Sequence, residues 1–367
     1  MKIAKVVKIP KLAQDEFYET SSFEINEELS KLDLEIKKWF GDDFVNYSKR
    51  YISYNFIKQY IADEYVDWNY APNTSLISEK FARTLKVMND YQFAFLLCHN
   101  GYIPEVYKPD SSQETLYSKL VEVVVSEWAF RIGFTSSSLP TQKSSKEDIT
   151  ISDGENIIVA DAKSYRLGRS QAAPNVKDAL KKGDIIKWLA HYDPSKYNRV
   201  GGLVAFPSQH DWKNGSDFYL YLTDKNSPII MLFYEHMAFM LLSGMNKNAL
   251  LNFFNNHHEI FPEEELNKIG SRAVYFDKLC LNLLNTGEMK WSDFLSVANY
   301  ISSEKATATL SELENLLAEE KVKSMDWANS LTADDAKKQL ADIKYQLDNQ
   351  NLIRQKNNIL SFRKLVK

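Results

Sequence analysis

Between Glu147 and Tyr165 the chain runs EDITISDGENIIVADAKSY, and this stretch constrains the fold more than any other. Ile149 to Ser152 alternates apolar and polar residues, Asp153-Gly154 is a turn dipeptide, and Ile157 to Ala160 is an apolar run, which together read as a β-hairpin. The apolar run stops abruptly at Asp161, Ala162 and Lys163. Buried strands do not normally end in bare charges. A loop over residues 153–156 places Ser152 opposite Ile157, and counting back places Asp148 opposite Asp161, with Cβ atoms about 4.5–5.5 Å apart. A two-residue loop makes the two aspartates diagonal neighbours, still within reach of each other. Facing carboxylates repel and aspartate is a poor strand former, so the arrangement asks for a divalent metal ion between them. Lys163 is on the same strand face as Asp161 and about 7 Å further along, so its ammonium reaches the rim of such a site.

An Asp, a spacer, then Asp-x-Lys at a strand end resembles the pattern of the PD-(D/E)xK nucleases. The tripeptide alone is unspecific, because a solvated strand terminus carries the same residues by chance. The hairpin geometry and the preceding Asp148 are what separate the two readings here.

The remaining sequence bounds what such a hairpin can serve. With 367 residues, 44% hydrophobic and 26% charged, the chain has ordinary globular usage and length for one large core or two smaller ones. Its net charge of −4 offers no whole-molecule attraction for a polyanion, so any basic surface must be local. Just past Lys163 come Arg166, Arg169, Lys177, Lys181 and Lys182. They form either a solvated face or a set of phosphate contacts. Cys98 and Cys280 stand alone in apolar, helix-like segments, as buried free thiols of a reducing compartment do. The opening MKIAKVVKIPKL has lysines every few residues and no long apolar core, so it reads as neither signal peptide nor membrane span, and a cytoplasmic protein is expected.

Residues 20–100 read as mainly helical, with one helix capped at Ser21 or Ser22 and ended by Gly41, and two more over 73–89 and 91–98. The aromatics of residues 43–65, interleaved with Lys49, Arg50 and Lys58, suit helix packing better than a base-stacking face. Gln113 to Phe134 forms an amphipathic helix capped by Ser111 or Ser112, with Leu116, Leu120, Val123, Val124, Trp128 and Ile132 as its buried stripe, expected to pack on the hairpin. Glu114 in its first turn is a candidate outer metal ligand or simply a carboxylate that suits the helix dipole. Asn175 to Tyr192 has helical periodicity, and a helix beginning near Pro174 would project Asn175 and Asp178 from one face. Both are able to address base edges in a major groove, although Asn175 also makes a good cap. Residues 201–206 and 229–233 read as buried strands, 234–242 as a short helix, and 291–301, 309–322 and 332–347 as helices. His257-His258-Glu259 reads as exposed polar residues, Glu235-His236 as a satisfied, partly buried pair, and no phosphate-binding glycine loop is present.

Taken with IPEVYKPDSSQETLYSKL (103–120), Asp148, VADAKSYRL (159–167), the Asn175 and Asp178 pair and FYEHMAFMLL (233–242), the chain resembles the HindIII family of type II restriction endonucleases over roughly residues 90–345. Residues 1 to about 60 look like an extension relative to that family. The fold class so implied is α/β: a PD-(D/E)xK nuclease core, a mixed central sheet flanked by helices, with large helical N- and C-terminal parts. The expected division is a helical region 1–100, a catalytic core 101–245 and a helical region 246–367. The resemblance further implies a homodimer that cuts both strands of a short palindrome in double-stranded DNA with Mg²⁺, AAGCTT being the first site to try. Asp148, Asp161 and the carbonyl of Ala162 would hold the metal, Lys163 would orient the attacking water, and Asn175, Lys177, Asp178, Arg166, Arg169, Lys181 and Lys182 would meet the DNA. Two alternatives compete: a repair or recombination nuclease with no fixed palindrome, and a DNA-binding protein without chemistry.

Overall fold

A computed structural model describes residues 22–65, 70–138, 147–168, 180–212, 222, 228–262, 271–350 and 352–353. The helices before the sheet are α1 Ser22–Phe40, α2 Tyr47–Tyr54, α3 Phe56–Glu64, α4 Thr74–Lys86, α5 Asp90–Cys98 and α6 Ser112–Arg131. Then follow β1 Ser136–Ser138, β2 Ile149–Ser152, β3 Asn156–Ala162, α7 Lys182–Ala190, β4 Asn198–Phe206, β5 Ile229–Phe233 and α8 Tyr234–Leu242. The chain continues through α9 Lys247–Asn255, α10 His257–Ile260, α11 Ser271–Leu279, α12 Trp291–Asn329 and α13 Ala333–Asp348. Two compact units emerge, one ending at Thr309 and one starting at Leu310. No described helix is long and apolar enough to cross a membrane.

The sheet runs β1-β2-β3-β4-β5 in sequence order, with the first two pairings antiparallel and the last two parallel. Burial explains the switch, because β5 (IIMLF) and most of β3 and β4 are enclosed, as parallel strands covered by helices must be. Ser111 accepts the Glu114 N–H to cap α6, whose expected stripe is buried throughout and packs on β2 and β3. The crossover helix α7 packs on β3 and β4, where Gly202 allows close approach: a Cβ there would come within 2.3 Å of Ile185 Cγ2. Lys181 adopts a left-handed conformation (φ 46°), so the single helix expected through 175–192 is broken there and α7 begins only at Lys182. Conversely, the helices expected at 291–301 and 309–322 are one, since the intervening SSEKATA contains no Gly or Pro.

One apolar cluster links the N-terminal helices to the start of α12 through Trp39, Phe40, Phe239, Trp291 and Phe294, whose rings contact one another at 5.0–6.0 Å between centroids. The aromatics of residues 43–65 mostly pack: Phe44 stacks on Phe95, and Phe56 and Tyr60 meet Phe81, while Tyr47 and Tyr51 stay exposed. Arg50 is buried rather than presented to solvent. Cys98 and Cys280 are free thiols, the first fully buried and the second partly. In the C-terminal unit Thr332 caps α13, on which no residue is buried.

His257 corrects an expectation, for it is buried with Nε2 at 3.1 Å from the Ile229 carbonyl, while His258 and Glu259 are exposed. Glu235 and His236 are fully buried with separate partners: Glu235 accepts from Ser208 Oγ, and His236 Nδ1 accepts the Phe233 N–H. Burial pushes the His236 imidazole down to about 3, so it stays neutral in the fold, whereas in the unfolded chain it protonates near 6.5. The stability it contributes is therefore complete above pH 6.5 and lost below it, by about 1.4 kcal/mol per pH unit. Urea unfolding of wild type and His236→Gln between pH 7.5 and 5 should show the wild type losing ground by that slope. Parallel pH profiles would contradict it.

Candidate active site

The register of β2 and β3 pairs Ser152 with Ile157 and Ile149 with Ala160, so Asp148, one residue before β2, lies opposite Asp161. This is the four-residue-loop geometry. Asp153 closes the turn by accepting the Glu155 and Asn156 N–H groups, and Gly154 supplies the positive φ. Asp148 donates its N–H to the Ala160 carbonyl (3.1 Å), and its Oδ2 accepts the Ala162 N–H (3.0 Å). Burial, then the charge of Asp161 and a hydrogen bond to it, push the Asp148 carboxyl well above the usual carboxylate range. Two carboxylates held this close favour a cation between them.

Lys163 completes the constellation, its ammonium in contact with Asp161 Oδ2. Its backbone is pinned on both sides: the N–H donates to Ala205 O (2.8 Å) and the carbonyl accepts the Tyr234 hydroxyl (2.8 Å). Gly101, at φ 82°, lies against that carbonyl, where a Cβ would come 2.6 Å from the Tyr234 ring. Tyr102 bridges to Tyr165 in parallel, so residues 101–103 brace the turn after Lys163.

Of the α6 acids, Glu122, which sequence reasoning missed, is the one whose charge acts on Asp148, while Glu114 lines the cavity before the centre and has other partners. Glu114 accepts the Asp110 N–H (2.6 Å) and pairs with Arg166 (3.1 Å), which also donates to the Pro104 carbonyl. Eight residues on, burial raises the Glu122 carboxyl to about 7, with Lys119 (2.5 Å) pulling it back and Asp161 adding to the rise. Only helix placement reveals this, because α6 carries three glutamates, Glu114, Glu122 and Glu127, and nothing local chooses among them. A cavity of about 1380 Å³ lies before the centre, lined by Ser78 of α4, Ser118 and Glu122 of α6, Asp148, and Lys181 and His191 at the two ends of α7.

Lys181 is exposed and Lys182 partly so, at the start of α7. Arg169, Asn175, Lys177 and Asp178 lie outside the described residues. Among the described residues no group of three or more His, Cys, Asp or Glu side chains gathers as a metal cage. Two hard carboxylates are nevertheless the donor set of Mg²⁺, which uses one or two carboxylates and fills its remaining positions with water and substrate phosphate. The residues present fit that ion.

The HindIII restriction endonuclease family matches the chain over residues 64–356. The chain is similar to the type II restriction enzyme HindIII of Haemophilus influenzae, at 24% identity over 239 residues, covering 61% of this chain and 75% of that protein. Among solved structures, the small subunit of the heterodimeric restriction endonuclease R.BspD6I aligns with a TM-score of 0.31 at 12% identity, over 50% of this chain and 90% of that one.

Proposed function

Because the chain belongs to the HindIII restriction endonuclease family and is a type II restriction enzyme, we propose that it hydrolyses both strands of a short palindromic DNA site with Mg²⁺ held at the β2–β3 hairpin. The observation that carries this reading is the register that faces Asp148 with Asp161 and brings the Lys163 ammonium onto Asp161. Residues 101–245 are then a PD-(D/E)xK catalytic core, between helical regions 1–100 and 246–367. Asp148, Asp161 and the Ala162 carbonyl would hold the metal. A Mg²⁺ ion bound there would supply polarisation of the scissile phosphate and stabilisation of the charge that develops on it. Lys163 orients the attacking water and takes part in its deprotonation, its stem fixed by the backbone bonds to Ala205 and Tyr234. Glu122 adds a third carboxylate behind the pair, within electrostatic reach of both aspartates.

DNA is met on the α7 side, with Lys177, Lys181, Lys182 and Arg169 on phosphates and Asn175 and Asp178 on base edges. Arg166 contributes there only by leaving Glu114. One hairpin per chain and two strands to cut call for a homodimer. The proposed site is AAGCTT and the compartment the cytoplasm. Plasmid DNA incubated with the protein should give discrete fragments in Mg²⁺ and remain intact in EDTA. Cutting in EDTA, or none in either, would contradict the metal-dependent reading.

A further inference from the structure

Glu147, the residue before Asp148, is 3% exposed and carries a carboxylate that no Lys or Arg pairs with among the described residues. Its Oε1 accepts instead from two hydroxyls, Tyr192 Oη and Thr150 Oγ1 (2.8 Å), which also lie 2.9 Å from each other. Burying a carboxylate on neutral donors is costly, and the two short hydroxyl bonds that offset the cost fix where the side chain sits. Thr150 belongs to β2 itself, but Tyr192 comes from the turn that ends α7. That turn is held rigidly: Arg199 of β4 donates Nε to the Tyr192 carbonyl (2.6 Å) and Nη2 to the Ala190 carbonyl (3.1 Å). With Ile185 seated against Gly202, the helix has little freedom to slide on the sheet. Glu147, Asp148, Lys181 and His191 all line the same cavity.

The geometry points to Tyr192 as a positioning residue: its hydroxyl, docked on Glu147, holds the chain entering Asp148 and ties that ligand to the helix whose other end carries Lys181 and Lys182. The inference rests on the metal reading of the Asp148–Asp161 pair. A phosphate gripped at the start of α7 and an aspartate fixed through its end then belong to one rigid body. Tyr192 does not itself line the cavity, so removing its hydroxyl lowers the fraction of molecules with Asp148 in place and leaves the DNA-facing side chains intact.

The test titrates Mn²⁺ alone into wild type, Tyr192→Phe, Glu147→Gln and Glu147→Leu by calorimetry. Alongside it run DNA binding in EDTA, melting temperature, and single-turnover cleavage in Mg²⁺ of a duplex that the wild type cuts. Hydrogen-bond partners of a metal ligand itself are worth on the order of 10- to 100-fold in metal affinity or activity, and Tyr192, which acts through the neighbouring Glu147, belongs at the low end of that range. Tyr192→Phe and Glu147→Leu are expected to weaken Mn²⁺ and slow cleavage about 10-fold, with DNA binding unchanged. Glu147→Gln, which keeps an oxygen for both hydroxyls, stays close to wild type. Wild-type Mn²⁺ affinity in Tyr192→Phe overturns the role. So does a loss of DNA binding in step with a lowered melting temperature, which would make the contact a general strut. Failure of the wild type itself to take up Mn²⁺ overturns the metal reading, and this role with it.

Discussion

Asp161→Asn is expected to lower single-turnover DNA cleavage by on the order of 10³-fold while leaving DNA binding in EDTA unchanged. A metal ion's stabilisation of transition-state charge is worth several kcal/mol, and each 1.36 kcal/mol is tenfold in rate. Asp161 is 3% exposed and faces Asp148, so it contributes nothing to the protein surface that DNA meets. The substitution keeps the side chain's shape; it removes the like-charge contact with Asp148 and also the charge that pairs with Lys163, two opposed effects, so the metal-free variant is expected to melt close to the wild type. Lys163→Ala should cost activity comparably, but it also leaves a buried carboxylate without its ammonium and lowers the melting temperature. Cleavage by either variant within tenfold of wild type would show the site to be elsewhere.

The largest stability effect is expected far from that hairpin. Glu304 of α12 accepts Arg50 Nε (2.7 Å) and Nη2 (2.9 Å), Tyr54 Oη (2.6 Å) and Tyr300 Oη (2.6 Å), while Arg50 Nη1 donates to the carbonyls of Phe44 and Val45. The Arg50 and Glu304 side chains are only 7% and 11% exposed. Burial by itself would raise the Glu304 carboxyl, but the hydrogen bonds from Arg50, Tyr300 and Tyr54 outweigh it and hold it below the usual range. Glu304→Ala strands the guanidinium and should cost about 3–5 kcal/mol, read as a fall in urea midpoint at neutral pH. Replacing both partners by apolar residues, Arg50→Met with Glu304→Leu, should recover part of that loss, because no buried charge remains unpaired although the Phe44 and Val45 carbonyls and the Tyr54 and Tyr300 hydroxyls lose these bonds. A loss below about 1 kcal/mol in Glu304→Ala would mean that water reaches the pair and screens it.

These two sites differ in how much of them a reader of the sequence can see. Asp148, Asp161 and Lys163 are found because a hairpin register is local: one turn dipeptide fixes which residues face each other across fewer than twenty positions. The buried stripe of α6 and the strands β4 and β5 are legible for the same reason, periodicity within one element. Glu122 is not, since the choice between it and Glu114 depends on which turn of α6 crosses the hairpin. Arg50 and Glu304 are 254 residues apart, and nothing near either names the other. The break at Lys181 is hidden because lysine is an ordinary helix residue and only the seating of α7 on Gly202 shows where that helix begins. His257 escaped for a related reason, its polar partner being the Ile229 carbonyl on β5, 28 residues away.

Sequencing the ends of every fragment that the wild type makes from plasmid DNA in Mg²⁺ tests the central claim most directly. A two-fold enzyme with one Asp148–Asp161–Lys163 hairpin on each strand must leave ends that all map to one palindromic sequence, cut at symmetry-related phosphates. Ends scattered over unrelated sequences, or breaks confined to one strand, would contradict it.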